Sequence, residues 1–163
     1  MKKIVVLGSP GSGKTTFATR LHEKTGIPLH HLDLIWHKPD RSTVSREEFD
    51  TKLSEIMSTP GWIIDGNYNR TAEMRIISAD TVFLFDIPVD VCLDGARSRI
   101  GKKRPDMPWI EETFDEEFKN WITDFPKIQL PQLYEHIKKH KENKNIVIFK
   151  SRAEADDYLN KLG

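Results

Sequence analysis

The chain of 163 residues contains one cysteine, Cys92, so no internal disulfide framework is available and a reducing compartment, the cytoplasm, is expected. Neither sign of charge is in excess, since 25 Lys and Arg stand against 25 Asp and Glu. That balance excludes an overall basic field of the kind that holds nucleic acid or an anionic membrane, and any polyanion site must be local. No run approaches the ~18 uninterrupted apolar residues of a membrane span. The sequence has no repeat and no low-complexity tract. The start, Met1-Lys2-Lys3 and then IVVLG, is superficially like a leader peptide, but its apolar run stops at Gly8 and enters a glycine-rich loop that cleavage would destroy. The dinucleotide fingerprint G-x-G-x-x-G is also missing: after Gly11 and Gly13, Thr16 stands where its third glycine belongs, which argues against NAD.

What is present is a phosphate-binding loop. Ile4 to Leu7 is a short run rich in β-branched residues, as a buried parallel strand would be. Gly8, Gly13, Lys14 and Thr15 then fit G-x-x-x-x-G-K-[ST]. In that pattern glycines let backbone N–H groups curl around phosphates, the lysine reaches the β/γ oxygens and the hydroxyl ligates Mg²⁺. The following helix aims its positive end at the anion. The loop from Gly8 through Pro10, Gly11, Ser12, Gly13, Lys14, Thr15 and Thr16 is therefore the predicted ATP site.

Hydrophobic spacing predicts strands alternating with helices. A helix over 14–24 carries Phe17, Ala18 and Leu21 and stops at Gly26. A second strand is expected over 29–34, ended by Asp33. Ser45 and Glu48 have capping-box spacing for a helix with Phe49, Leu53, Ile56 and Met57 on its apolar stripe. WIID is the third strand, running into a turn GNYN, and TVFLF, Thr81 to Phe85, is the fourth. Pro88 introduces a helix through Val91, Leu93 and Ala96. Phe114, Phe118, Trp121, Ile122 and Phe125 share a face of a further helix interrupted at Pro126. IVIF is the fifth strand, and Ser151 with Glu154 caps a last helix. This order implies one domain over 1–163, an α/β fold with a doubly wound, mostly parallel sheet whose ligands bind at the carboxyl ends of the strands.

Those ends carry the candidate chemistry. Asp65, before Gly66, stands where a phosphate-loop enzyme places the acid that orients water on Mg²⁺; its plain alternative is a turn-forming aspartate. Asp33 either positions and deprotonates a phosphate acceptor or caps a turn. Asp86 is expected to be a helix-start residue without chemistry. Arg97, Arg99, Lys102, Lys103 and Arg104 cluster in ARSRIGKKRPDMP, and a loop of arginines that closes over phosphates supplies the positive charge phosphoryl transfer needs. His136 and His140 lie one helical turn apart without an evident third ligand, which favours a solvent-facing helix over zinc. Trp36 either walls an acceptor pocket or joins the core.

The phosphate loop, the IIDGNYNR stretch in the place of the D-G-F-P-R segment of adenylate kinases, ADTVFLFDIPVDVCLDGARSRI and the arginine-rich segment together resemble the nucleoside monophosphate kinase group over nearly the whole chain. More narrowly, HLDLIW, WIIDGNY and RPDMP followed by FDEEFKNWITDFP are similar to bacterial DNA topology modulation (FlaR-like) proteins. The resemblance implies a three-layer P-loop NTPase fold with a five-stranded sheet of order 2-3-1-4-5, an acceptor-side insertion over about 33–61 and a short helical lid over about 97–115. It carries phosphate binding to Gly13, Lys14 and Thr15, metal organisation to Asp65, and lid chemistry to Arg97 and Arg104. It also places Lys150, Ser151 and Arg152 beside the adenine. Asn67 and Tyr68 replace the Phe-Pro of adenylate kinases, so Arg70 aligns loosely with their arginine, and 33–61 has no clear match to their acceptor pocket.

The function expected is an ATP- and Mg²⁺-dependent phosphotransferase acting on a nucleotide or a small hydroxyl-bearing metabolite held between Asp33, Arg41 and Arg70. The competing class is a nucleotide-dependent regulator of DNA topology or of a protein partner. Neutral charge and the lack of a basic stripe outside the lid segment and the tail KKHKENK weigh against direct DNA binding.

Overall fold

The computed structural model describes residues 1–163, in which a central sheet is built from β1 (Lys3–Gly8), β2 (Leu29–His31), β3 (Trp62–Asp65), β4 (Thr81–Phe85) and β5 (Asn145–Phe149). All pairings are parallel and the order is β2-β3-β1-β4-β5. The helices are α1 (Lys14–Thr25), α2 (Leu32–Trp36), α3 (Arg46–Met57), α4 (Asn69–Ser78), α5 (Val89–Ser98), α6 (Glu116–Asp124), α7 (Gln129–Lys139) and α8 (Arg152–Lys161).

Alternation along the strands divides the apolar residues between two faces. Val5 and Leu7 of β1 pack with Phe49 and Leu53 of α3, Ala72 and Ile76 of α4, and Leu133 and Ile137 of α7. Ile4 and Val6 pack on the other face with Phe17 and Leu21 of α1, Ala96 of α5, Ile122 of α6, and Ala155 and Leu159 of α8. This is a three-layer α/β structure. The caps read from sequence are present: Gly26 is left-handed at the end of α1, and the Ser45 and Ser151 hydroxyls accept from the N–H groups of Glu48 and Glu154.

Several expectations change. The second strand ends at His31 rather than at Asp33, because the chain turns at once into α2, whose Leu32 is buried and whose Ile35 and Trp36 pack one turn on against the first core. Helical spacing of these apolar residues overrides their β propensity. The expected GNYN turn leads directly into α4, which begins at Asn69 after Tyr68 in a left-handed conformation. Phe114 precedes α6 instead of riding on it, and Trp121 projects from that helix, 46% exposed, rather than joining the core. Asp86 does not start α5; it accepts from the Tyr134 hydroxyl at 2.5 Å and from Lys150 Nζ at 2.6 Å. His136 and His140 face α4 rather than solvent, where both meet Glu73 Oε2, at 3.0 and 3.3 Å. Trp36 packs edge-on against Phe49 beside the first core. No helix is long and apolar enough to cross a membrane.

Candidate active site

The parallel order gathers the loops after β1, β2 and β3 at one end of the sheet. After β1 the chain forms the glycine-rich loop, and the N–H groups of Gly13, Lys14, Thr15 and Thr16 find no acceptor in the chain. Gly13 caps α1 with no side-chain bond. An uncapped helix start with several free N–H groups is a built anion cradle. The loop is held in shape from outside. Asn67 clamps Gly8, its side-chain oxygen accepting from the Gly8 N–H at 3.0 Å and its amide donating to the Gly8 carbonyl at 2.5 Å. Arg152 donates to the Gly11 carbonyl at 2.5 Å. Helix α5 lies so close that a Cβ at Gly11 would collide with the Cys92 carbonyl, and one at Gly95 with the Gly11 carbonyl and Arg152. The Ser12 side chain is buried with its Oγ unpartnered.

Asp65, at the end of β3, is buried beneath this loop. Its Oδ2 accepts from the Thr15 hydroxyl at 2.9 Å and meets His31 Nδ1 at 2.9 Å, while Oδ1 lies 3.6 Å from Lys14 Nζ without a hydrogen bond. Burial would raise the pKa of this carboxyl, but the Lys14 charge and the bonds from His31 and Thr15 outweigh it and pull the value down to about 2. Asp65 is thus anionic at neutral pH with one buried oxygen unused. A Thr hydroxyl and an anionic carboxylate beside a phosphate cradle are the oxygen donors that Mg²⁺ takes, so Thr15 and Asp65 fit that ion.

Asp33 stands on α2 across the site. Its Oδ1 accepts from the Tyr68 hydroxyl at 2.6 Å, and Oδ2 has no protein partner. Burial, followed by the neighbouring Asp33, pushes the Tyr68 pKa well above its usual value, so the phenol stays a donor. The left-handed Tyr68 is fixed by Arg75, buried in α4, whose guanidinium donates to the carbonyls of Gly66, Asn67 and Tyr68. Burial draws the pKa of Arg75 down to about 9, which leaves it charged at neutral pH.

Two cavities meet here. One, of about 320 Å³, is lined by the phosphate loop, Ser98, Arg99, Arg152 and Ala155. The other, of about 590 Å³, is lined by Pro10, Asp33, Tyr68, Arg104, Trp121 and Gln129 among others. Lys14 and Arg99 border both.

Of the residues expected from sequence, Gly11, Gly13, Lys14, Thr15 and Thr16 line the first cavity, while Asp33 and Arg104 line the second together with Pro10. Arg104 forms a two-point ion pair with buried Asp106, at 3.0 and 2.7 Å. Arg97 borders neither cavity: it is exposed, 3.3 Å from Asp94, with its guanidinium 5.5 Å from the Phe114 ring centre. Ser151 serves as the cap of α8, and the adjacent Arg152 reaches the loop instead. Arg70 pairs with Asp50 at 2.7 Å and Arg41 lies over Trp109, so the expected grouping of Asp33, Arg41 and Arg70 does not form. Sequence reasoning missed His31, Asn67, Arg75, Gly95 and the carboxamides of the larger cavity. An arginine between apolar residues in EMRII and a glycine inside the helical LDGAR were the available signals.

Strand order, phosphate loop and the strand-end acid define a P-loop NTPase fold. No family model matches the chain. Adenylate kinases of Thermotoga neapolitana and Thermotoga maritima are each 37% identical to it over 82 residues, which is 49% of this chain. That stretch spans only 36% of the relatives' own length. Among solved structures, shikimate kinase from Acinetobacter baumannii in complex with shikimate superposes with a TM-score of 0.62 at 19% identity, covering 99% of this chain and 91% of that one. Shikimate kinase from Bacteroides thetaiotaomicron gives 0.60 at 19% identity, covering 98% and 94%. At such identities the likeness is one of fold.

Proposed function

We propose that the protein is an ATP- and Mg²⁺-dependent phosphotransferase that moves the γ-phosphate of ATP to a small hydroxyl-bearing acceptor. The observation that carries this reading is the pair of cavities sharing Lys14 and Arg99. A donor and an acceptor seated on opposite sides of two cations would have the transferred group between them, where developing negative charge needs compensation. The smaller cavity takes the triphosphate against the free N–H groups of α1, and the larger takes the acceptor. From segment 33–61, Asp33 and His37 line the acceptor side, and 97–115 is the lid, from which Arg99 and Arg104 reach the site.

Asp33 Oδ2 receives the acceptor hydroxyl. The hydroxyl oxygen bonds to the γ-phosphorus, the bond from that phosphorus to the β–γ bridging oxygen breaks, ADP leaves with the electron pair, and the hydroxyl proton passes to Asp33. Tyr68 holds the carboxylate in place. Thr15 and Asp65 would hold Mg²⁺, which would supply neutralisation of the phosphate charge. The finer kinship with bacterial topology modulation proteins, and the cytoplasmic setting, are proposed along with this reading.

The test is Lys14→Ala. It should keep the fold, since the lysine contributes little to either apolar core, and lower ATP turnover by about 100-fold or more. Turnover equal to that of the unaltered protein would remove the assignment.

A further inference from the structure

The lining of the larger cavity specifies the charge of what it accepts. Cations border it at Lys14, Arg99 and Arg104. Lys14 and Arg99 also border the triphosphate side, and Arg104 is satisfied by Asp106 through two bonds. Arg70 and Arg41, the other arginines of the acceptor side, are turned to Asp50 and Trp109. Asp33 and Glu111 add negative charge to the wall. Arg99, whose buried Nε has no partner, is the one cation of this lining without a paired acid, and it is shared with the triphosphate side, so an acceptor's own phosphate or carboxylate would compete with ATP for it.

Carboxamides and aromatic rings occupy the far wall instead. Gln129 is 9% exposed and its buried Oε1 has no partner. Asn69 donates to Gln132 at 3.1 Å, and its own buried Oδ1 is likewise unpartnered. Buried carbonyl oxygens without donors are costly, and a ligand that brings O–H or N–H groups relieves them. A carboxylate or fully ionised phosphate group placed there offers only acceptor oxygens, so it is the hydroxyl- or N–H-bearing part of an acceptor that these two oxygens take. Phe118 and Trp121 form the apolar part of the wall, a surface suited to a sugar or base ring. We infer that the acceptor is an uncharged polyhydroxy compound, a nucleoside or a free sugar, bound through Asn69, Gln129 and Gln132. The inference rests on the phosphotransfer reading above.

The experiment measures ADP release by the full chain with ATP and Mg²⁺ in matched pairs: adenosine against AMP, glucose against glucose 6-phosphate, and further nucleosides and sugars against their monophosphates, with shikimate as a carboxylate. At least one neutral member should raise ADP release about 10-fold over the acceptor-free rate, while its charged counterpart stays within about twofold. The nucleoside and sugar arms separate the two sources. Gln129→Ala should then raise the KM of that acceptor about 10-fold with kcat changed less than about threefold, and Gln132→Ala, at an exposed position, provides the same readout should the first variant fold poorly. Stimulation by monophosphates or shikimate and not by neutral members would overturn the uncharged acceptor while leaving phosphotransfer standing. If no compound of either charge stimulates, phosphotransfer fails and this inference fails with it.

Discussion

Asp65 and Asp33 are carboxylates made different by their surroundings. Asp65 is buried among Lys14, His31 and Thr15 and holds its charge to about pH 2, whereas Asp33 keeps one oxygen open to the larger cavity. A carboxyl whose folded pKa lies below its ordinary 3.8 contributes stability that is present above that value and is lost as pH falls toward 2. The difference corresponds to about 2 kcal/mol. Denaturation of the unaltered protein and of Asp65→Asn between pH 5 and 2 should therefore show a steeper acid loss in the former, and parallel curves would contradict the assignment of charge. At neutral pH, Asp65→Asn should reduce acceptor-independent ATP hydrolysis and transfer together and raise the Mg²⁺ requirement, because the site loses the anion facing Lys14 and Thr15. An unchanged Mg²⁺ dependence would show that the metal is organised elsewhere.

At the scale of elements, two helices hold the loops of the candidate site. Helix α5 lies against the phosphate loop because Gly95 has no side chain to keep it away. Gly95→Ala should push the loop and Arg152 aside, costing about 2 kcal/mol and raising the KM for ATP several-fold. A variant with native stability and KM would show that the contact is slack. Helix α4 supplies Arg75, which binds three successive carbonyls before it. Arg75→Met should leave those groups unpaired and destabilise the protein by about 3 kcal/mol in urea denaturation; a loss below about 1 kcal/mol would argue that water replaces the guanidinium.

These helices also mark where sequence was readable. Four of the five strands, the capped helices α1, α3 and α8, and the phosphate loop follow local rules of alternation, capping and glycine placement and form as expected, while β2 is shorter than expected. The first three residues of helix α2, Leu32 to Leu34, read as strand because five residues are too few for a helical period to stand out beside β-compatible side chains. Likewise, the clamp of Asn67 on Gly8 joins residues 59 apart, and the carboxamides of α4 and α7 meet only through tertiary packing, so no spacing announces them. Arg97 and Arg104 lie in one charged stretch, but only the fold decides that Arg99 and Arg104 turn inward while Arg97 turns to Asp94.

The whole molecule is a sheet whose carboxyl ends place two cavities on either side of Lys14 and Arg99. Reaction across that divide is the central claim, and it requires the γ-phosphate to end on carbon-bound oxygen. Phosphorus NMR of ATP incubated with the protein, Mg²⁺ and the acceptor found most stimulatory tests this directly, run beside Asp33→Asn. A phosphate ester should appear in step with ADP for the unaltered protein. In the Asp33→Asn reaction the ester should fall about 100-fold while slow release of inorganic phosphate persists. Inorganic phosphate as the only product of the unaltered protein, or equal ester formation by both, would contradict the account.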